Sequence, residues 1–133
     1  MKHASPKYCY FLCLFFLMAT GGCVSLSPSD LATADYGFYP DDYQGEIKLR
    51  MGKTLFDPYS AHYQMGSPYR AGSKLGLIYG GGWRFGYAVD VLVNAKNRFG
   101  AYVGNKSYTF FFYKGEMHEV RNFHMFRRVP ERV

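Results

Sequence analysis

Apolar and polar residues alternate strictly from Tyr87 to Lys96. Tyr87, Val89, Val91, Val93 and Ala95 fall on one side, and Ala88, Asp90, Leu92, Asn94 and Lys96 on the other. A period of two predicts a long strand with one buried and one mixed face. Asn97-Arg98-Phe99-Gly100 follows as a turn, because Asn tolerates and Gly freely adopts positive φ, and Gly104-Asn105 repeats that signal. Tyr108 to Tyr113 then reads as an aromatic strand. Tyr108, Phe110 and Phe112 share one face and Thr109, Phe111 and Tyr113 the other, ending at Lys114-Gly115. Such a strand packs on both sides.

Upstream the period changes. Tyr43, Ile47, Met51 and Leu55 recur every four residues, with Lys48, Arg50 and Lys53 off the stripe. This predicts an amphipathic helix starting at Asp41. Asp41 would cap it with Gln44 in a capping box, Asp41 and Asp42 would oppose the positive end of its dipole, and Asp57-Pro58 would stop it. Asp57 to Ser60 reads as a turn, Ala61 to Met65 as the first strand and Gly66 to Leu75 as a loop. Leu77 to Tyr79 is a further short strand, and Gly80 to Gly82 is a flexible connection. Glu116 to Phe126 reads as one last strand, and Arg127 onward as a frayed basic tail. The expected fold is α+β: one N-terminal helix packed on a small antiparallel sheet of three to five strands.

Met1 to Cys23 carries a different pattern. Lys2 and Lys7 precede an apolar run, Tyr8 to Met18, that is shorter than the roughly 20 residues of a membrane span. Thr20-Gly21-Gly22-Cys23 resembles a lipobox, although Thr20 stands where Leu is usual. Cys23 would then be acylated as the mature N-terminus; a plain secretory signal or an uncleaved anchor is the alternative. Several acyl chains at about 0.8 kcal/mol per buried CH₂ would hold permanently. Val24, by analogy with bacterial lipoproteins, favours the outer membrane. The divisions are residues 1–22 signal, 23–38 lipidated anchor and tether, 39–126 α+β domain and 127–133 tail. Cys9 and Cys13 lie in the leader, so the mature domain has no thiol for a disulfide or for catalysis.

Net charge changes the picture little. Of the +6 carried by all 133 residues, Lys2 and Lys7 belong to the leader. The remaining +4 suits a soluble surface or anionic ligands in the envelope. No Lys/Arg stripe suggests nucleic acid. The 13 Tyr and 12 Phe offer rigid contact area for an interface or a glycan, or simply large side chains for a small core.

Asp57-Pro58-Tyr59-Ser60-Ala61-His62-Tyr63, followed by Val93 to Gly104 (VNAKNRFGAYVG), resembles a family of small, mostly uncharacterised Gram-negative envelope lipoproteins. Its pattern is a helix, then DPxSAxY or DPxSAxF, then VNAKNxFGxYxG, then an aromatic strand. The resemblance covers roughly Asp35 to Tyr113. Relatives outside the lipoprotein group often carry Cys-Gly-Glu just before VNAKN, where this chain has Asp90-Val91-Leu92, so any role of that Cys is absent. The resemblance implies a location and a fold, and no reaction.

Asn94, Lys96, Asn97 and Tyr102 form the candidate binding site. They combine amide donors, a cation and a ring near a turn, which suits a sugar or a peptide carbonyl. The plainer reading is turn geometry for Asn97 and a blunted strand edge for Asn94 and Lys96. His118, Glu119 and His124 match no metal-ligand spacing. Ser60 and His62 lie near Asp57, but a triad needs more than proximity in sequence, and Ser60 reads as bonding its own turn. Asp57 and Glu46 could pair as carboxylates only through folding. Gly66…Gly72-Ser73-Lys74 has the wrong order and flanks for a phosphate loop. No catalytic residue, metal or cofactor is assigned. The expected function is a non-catalytic binding or structural lipoprotein of the bacterial outer membrane, facing the periplasm, with exposure at the cell surface as the alternative. It would use its aromatic sheet and expose a cluster of Tyr and Phe. Its partners would be the membrane through Cys23 and an envelope protein, glycan or lipid, with no nucleic acid. The alternatives are a cell-wall-active enzyme or its inhibitor, and a secretion accessory subunit.

Overall fold

The computed structural model describes residues 26–75, 81–121 and 125–130. The leader, Cys23, His124 and the expected strand Leu77 to Tyr79 lie outside them. Among the described residues the fold is a six-stranded antiparallel sheet with two short α-helices, α1 (Pro28–Ala32) and α2 (Tyr43–Gly52). The strands are β1 (His62–Met65), β2 (Tyr69–Lys74), β3 (Trp83–Asn94), β4 (Lys106–Tyr113), β5 (Glu116–Glu119) and β6 (Phe126–Arg128). The α+β expectation holds, with a sheet larger than the three to five strands expected.

The long strand β3 is the spine. Along one edge it pairs with β4, from Tyr87↔Phe112 to Val93↔Lys106. Its other edge is shared end to end by β2 and β1. The register slips by one residue between Met65↔Val91 and Tyr69↔Ala88, so Gly66, Ser67 and Pro68 face only Val89 and Asp90. This is a bulge, and it admits a proline that could not donate to the ladder. Gly66 keeps contact by donating its N–H to the Asp90 carbonyl at 2.9 Å.

The period-two prediction is met. Val89, Val91 and Val93 pack with Phe110 and Phe112 beneath Ile47 and Met51 of α2, and Tyr43, Leu55, Tyr63 and Met65 close the rim. Ile47 is fully buried, which stabilises by about 1.5–3 kcal/mol. The other face holds Ala71, Ala88, Phe111 and Phe126, with Val120, Tyr69 and Tyr113 against them. The Phe111 and Phe126 rings meet edge to face at 5.8 Å. The aromatic strand is therefore buried on both sides.

Several expected boundaries move. The helix begins after Asp42, which makes no capping hydrogen bond, so the box between Asp41 and Gln44 does not form. Asp42 instead folds its carboxylate over Gly45, where a Cβ would stand 2.6 Å from it. The stretch read as a loop contains β2, whose small Gly72 fits beneath Trp83 and Phe85. The single last strand is two strands on opposite edges of the sheet, because Lys114 (φ 50°) and Gly115 (φ 78°) turn β4 tightly into β5. The basic residues read as a tail form β6, and Val129 beyond them is buried. Part of the expected tether is α1, closed by a capping box between Ser27 and Asp30. Tyr36 and Tyr39 then lay the segment onto Tyr87.

Gly86 is the tightest point. A Cβ there would collide with the Phe112 carbonyl oxygen and press on the Phe111 ring. We expect Gly86→Ala to lower stability by about 3 kcal/mol, and Gly82→Ala, which meets open space, by under about 0.5 kcal/mol. Urea midpoints of the two variants check this.

Candidate functional site

Two stretches far apart in sequence meet at the Asn94 end of β3. Pro58–Ser60 forms a 3-10 turn closed by the Asp57 side chain, which accepts the Ser60 N–H. The Ser60 hydroxyl donates to the Asp57 carbonyl at 2.9 Å and accepts the Lys96 backbone N–H at 2.9 Å. Tyr102 donates its hydroxyl to the Ser60 carbonyl at 3.2 Å and lies 3.0 Å from Nε2 of His62. One phenol has one proton, so His62 donates from Nε2 and Tyr102 accepts. Lys96 and Tyr102 bridge backbone to backbone, with the Lys96 ammonium 5.5 Å from the Tyr102 ring centre.

The candidate residues divide accordingly. Lys96 and Tyr102 come together. Asn97 is occupied by the turn: its Oδ1 accepts the N–H groups of Phe99 and Ala101, and its backbone pairs with Ala101 and Gly100. Asn94 pairs with His62, on the face opposite Val93. Its Oδ1 is buried without a hydrogen-bond partner among the described residues.

A groove of about 450 Å³ opens beside this joint. Thr54, Leu55 and Phe56 after α2 form one wall. Val93, Ala95, Val103 and Tyr108 line its apolar part, and Lys96, Arg98 and Lys106 its cationic part. None of these cations pairs with a carboxylate among the described residues. Arg98 stacks over Phe99 at 4.8 Å. Phe56 is 73% exposed, Phe99 78% and Val103 51%, and Tyr59 in the joined turn is fully exposed. Phe56 and Phe99 were not anticipated. Their signal was available: Phe56 falls off the helix stripe and Phe99 interrupts a polar turn.

Ser60, His62 and Asp57 do not form a nucleophilic relay. The Ser60 proton goes to a carbonyl, and the His62 nitrogen addresses Tyr102. His118 Nε2 lies 3.5 Å from a Glu116 carboxylate oxygen, and no group of three metal-ligating residues occurs among the described residues.

Asp90 anchors a second polar cluster, on the face opposite α2. Its Oδ1 accepts from Thr109 at 2.7 Å and from Tyr69 at 3.1 Å, and its Oδ2 meets Arg128 at 3.4 Å. The Arg128 guanidinium lies 3.6 Å from the Tyr69 ring centre. With all of these contacts made, the carboxylate fastens β6 to the sheet. Burial first, and then the Asp90 charge, push the Tyr69 phenol above its ordinary value, against Arg128. Burial does the same to Tyr63.

No protein-family model, curated protein or solved structure matches this chain.

Ser60→Ala strands the Lys96 N–H, so stability should fall by about 1–2 kcal/mol and amide exchange at Lys96 should accelerate. Exchange unchanged at Lys96 would contradict the joint. Tyr69 has a raised folded-state pKa. Its contribution is full below pH 10.0, the ordinary phenol value, and is lost as pH rises through the raised value. Denaturation midpoints at pH 9 and pH 11 should differ less in Tyr69→Phe than in the parent.

Proposed function

We propose that this chain is a non-catalytic binding module of the bacterial cell envelope. In this reading Cys23 is acylated and holds it to the outer membrane, with the domain in the periplasm, and contact is made by the loop end of the sheet. One observation carries it: Phe56, Phe99, Tyr102 and Val103 are exposed at the same end as three cations without carboxylate partners. Buried cores recruit large apolar side chains, whereas exposed rings beside cations are the composition of interface anchors. The rings of β4 are consumed by the core, so the contact surface lies in the loops and not on the sheet face. The loops are held rigidly by the hydrogen bonds of Ser60 and Tyr102, which lowers the ordering cost of binding. Lipobox-like Thr20 to Cys23 and the resemblance to envelope lipoproteins support the location.

Cys23→Ala is expected to move the protein from the membrane fraction to the soluble periplasmic fraction. In cells, a photo-crosslinking residue at Phe56 or Phe99 should give discrete adducts. The same residue at Leu49, which is exposed on α2, should not. Equal adduct patterns from all three positions would sink the assignment of the loop end.

A further inference from the structure

We infer that the ligand of the loop end is the acidic glycan of the bacterial cell wall, a run of pyranose rings whose attached peptides bear carboxylates. This rests on the reading of the chain as an envelope binding module. The argument begins with charge. Lys96, Arg98 and Lys106 line one groove, no acidic side chain lines it, and none of the three is neutralised by a carboxylate among the described residues. Lys96 is held over Tyr102 and Arg98 over Phe99, so these two cations are each placed against a ring and keep an outer side for an anion. Phe56 lines the groove with an exposed ring, and the exposed Phe99 ring adjoins it beneath Arg98. Rings that stack, alternating with cations, match a polymer whose sugar faces are apolar and whose substituents are anionic.

Geometry separates this ligand from the anchoring lipid surface. Leu26 lies against Gly72, which pairs with Phe85 near the start of β3. Three residues from Cys23 to Leu26 reach at most about 10 Å. The groove begins at Val93 on the same strand, eight residues beyond Phe85, and so about 25 Å along it. An anchored domain thus has its tether at one end of β3 and its unneutralised cations at the other. A membrane ligand would favour both at the same end.

The test uses the full-length lipidated protein in detergent micelles and purified insoluble cell-wall sacculi, with co-sedimentation as the readout. Binding should weaken steeply with added salt. It should fall about tenfold in Lys96→Gln/Arg98→Gln/Lys106→Gln, three screened contacts together, and hold in Lys48→Gln, a control on α2. Sacculi whose carboxylates have been amidated should not retain the parent protein. That arm needs no variant, so it decides the matter even if the triple variant fails to fold. Retention that survives amidation, or binding to vesicles containing anionic lipid in place of sacculi, would overturn the inference. Crosslinks from Phe99 to an envelope protein with no sacculus binding would overturn it too, while leaving the loop end as the contact surface.

Discussion

Everything in this fold depends on β3 being paired along both edges and covered by α2. Its edges are paired with β4 and with β2 and β1 in tandem, which takes up its backbone polar groups. One face lies under α2, and on the other Ala88 packs with Phe111 and Phe126 while Asp90 and Leu92 stay exposed. That explains the apolar run Val89, Val91 and Val93 under the helix. On the open face the one carboxylate in the middle of the strand, Asp90, stays half exposed and is met by Thr109, Tyr69 and Arg128.

The parts readable from sequence were those governed by local periodicity. Ile47 and Met51 show their spacing whatever they pack against, and the alternation through β3 survives because both neighbours require it. β2 was missed because Arg70, Ala71, Gly72, Ser73 and Lys74 carry no apolar alternation; they are a strand because β3 offers them a partner. β6 was missed for a related reason. Arg127 and Arg128 look solvated, yet Asp90, 38 residues earlier in the chain, holds the second of them. At the loop end, Lys96 and Tyr102 were recognisable as polar and aromatic residues beside a turn. The role of Ser60 was only half visible. Its bond to its own turn is local, but its acceptance of the Lys96 N–H spans 36 positions.

At the loop end Ser60, His62 and Tyr102 spend their hydrogen bonds on holding two loops together, which makes a rigid platform. Around them the exposed rings and the cations without carboxylate partners among the described residues present shape and charge.

The slip at Gly66 to Pro68 has a further effect. Side chains on an extended strand alternate faces, so one added residue reverses the parity of all that follow. Before it, Tyr63 and Met65 point to the helix layer; after it, Tyr69 and Ala71 serve the opposite layer. The helix-side positions of β2 therefore pass to Arg70, Gly72 and Lys74. Those residues form no core, and instead seat the segment that leads in from the N-terminus, with Arg70 over Tyr36 and Gly72 against Leu26. A chain shortened by one residue here would bring Tyr69 and Ala71 into that seat and turn Arg70 away. One inserted position thus gives this sheet surface two tenants, a helix at one end and the lead-in segment at the other.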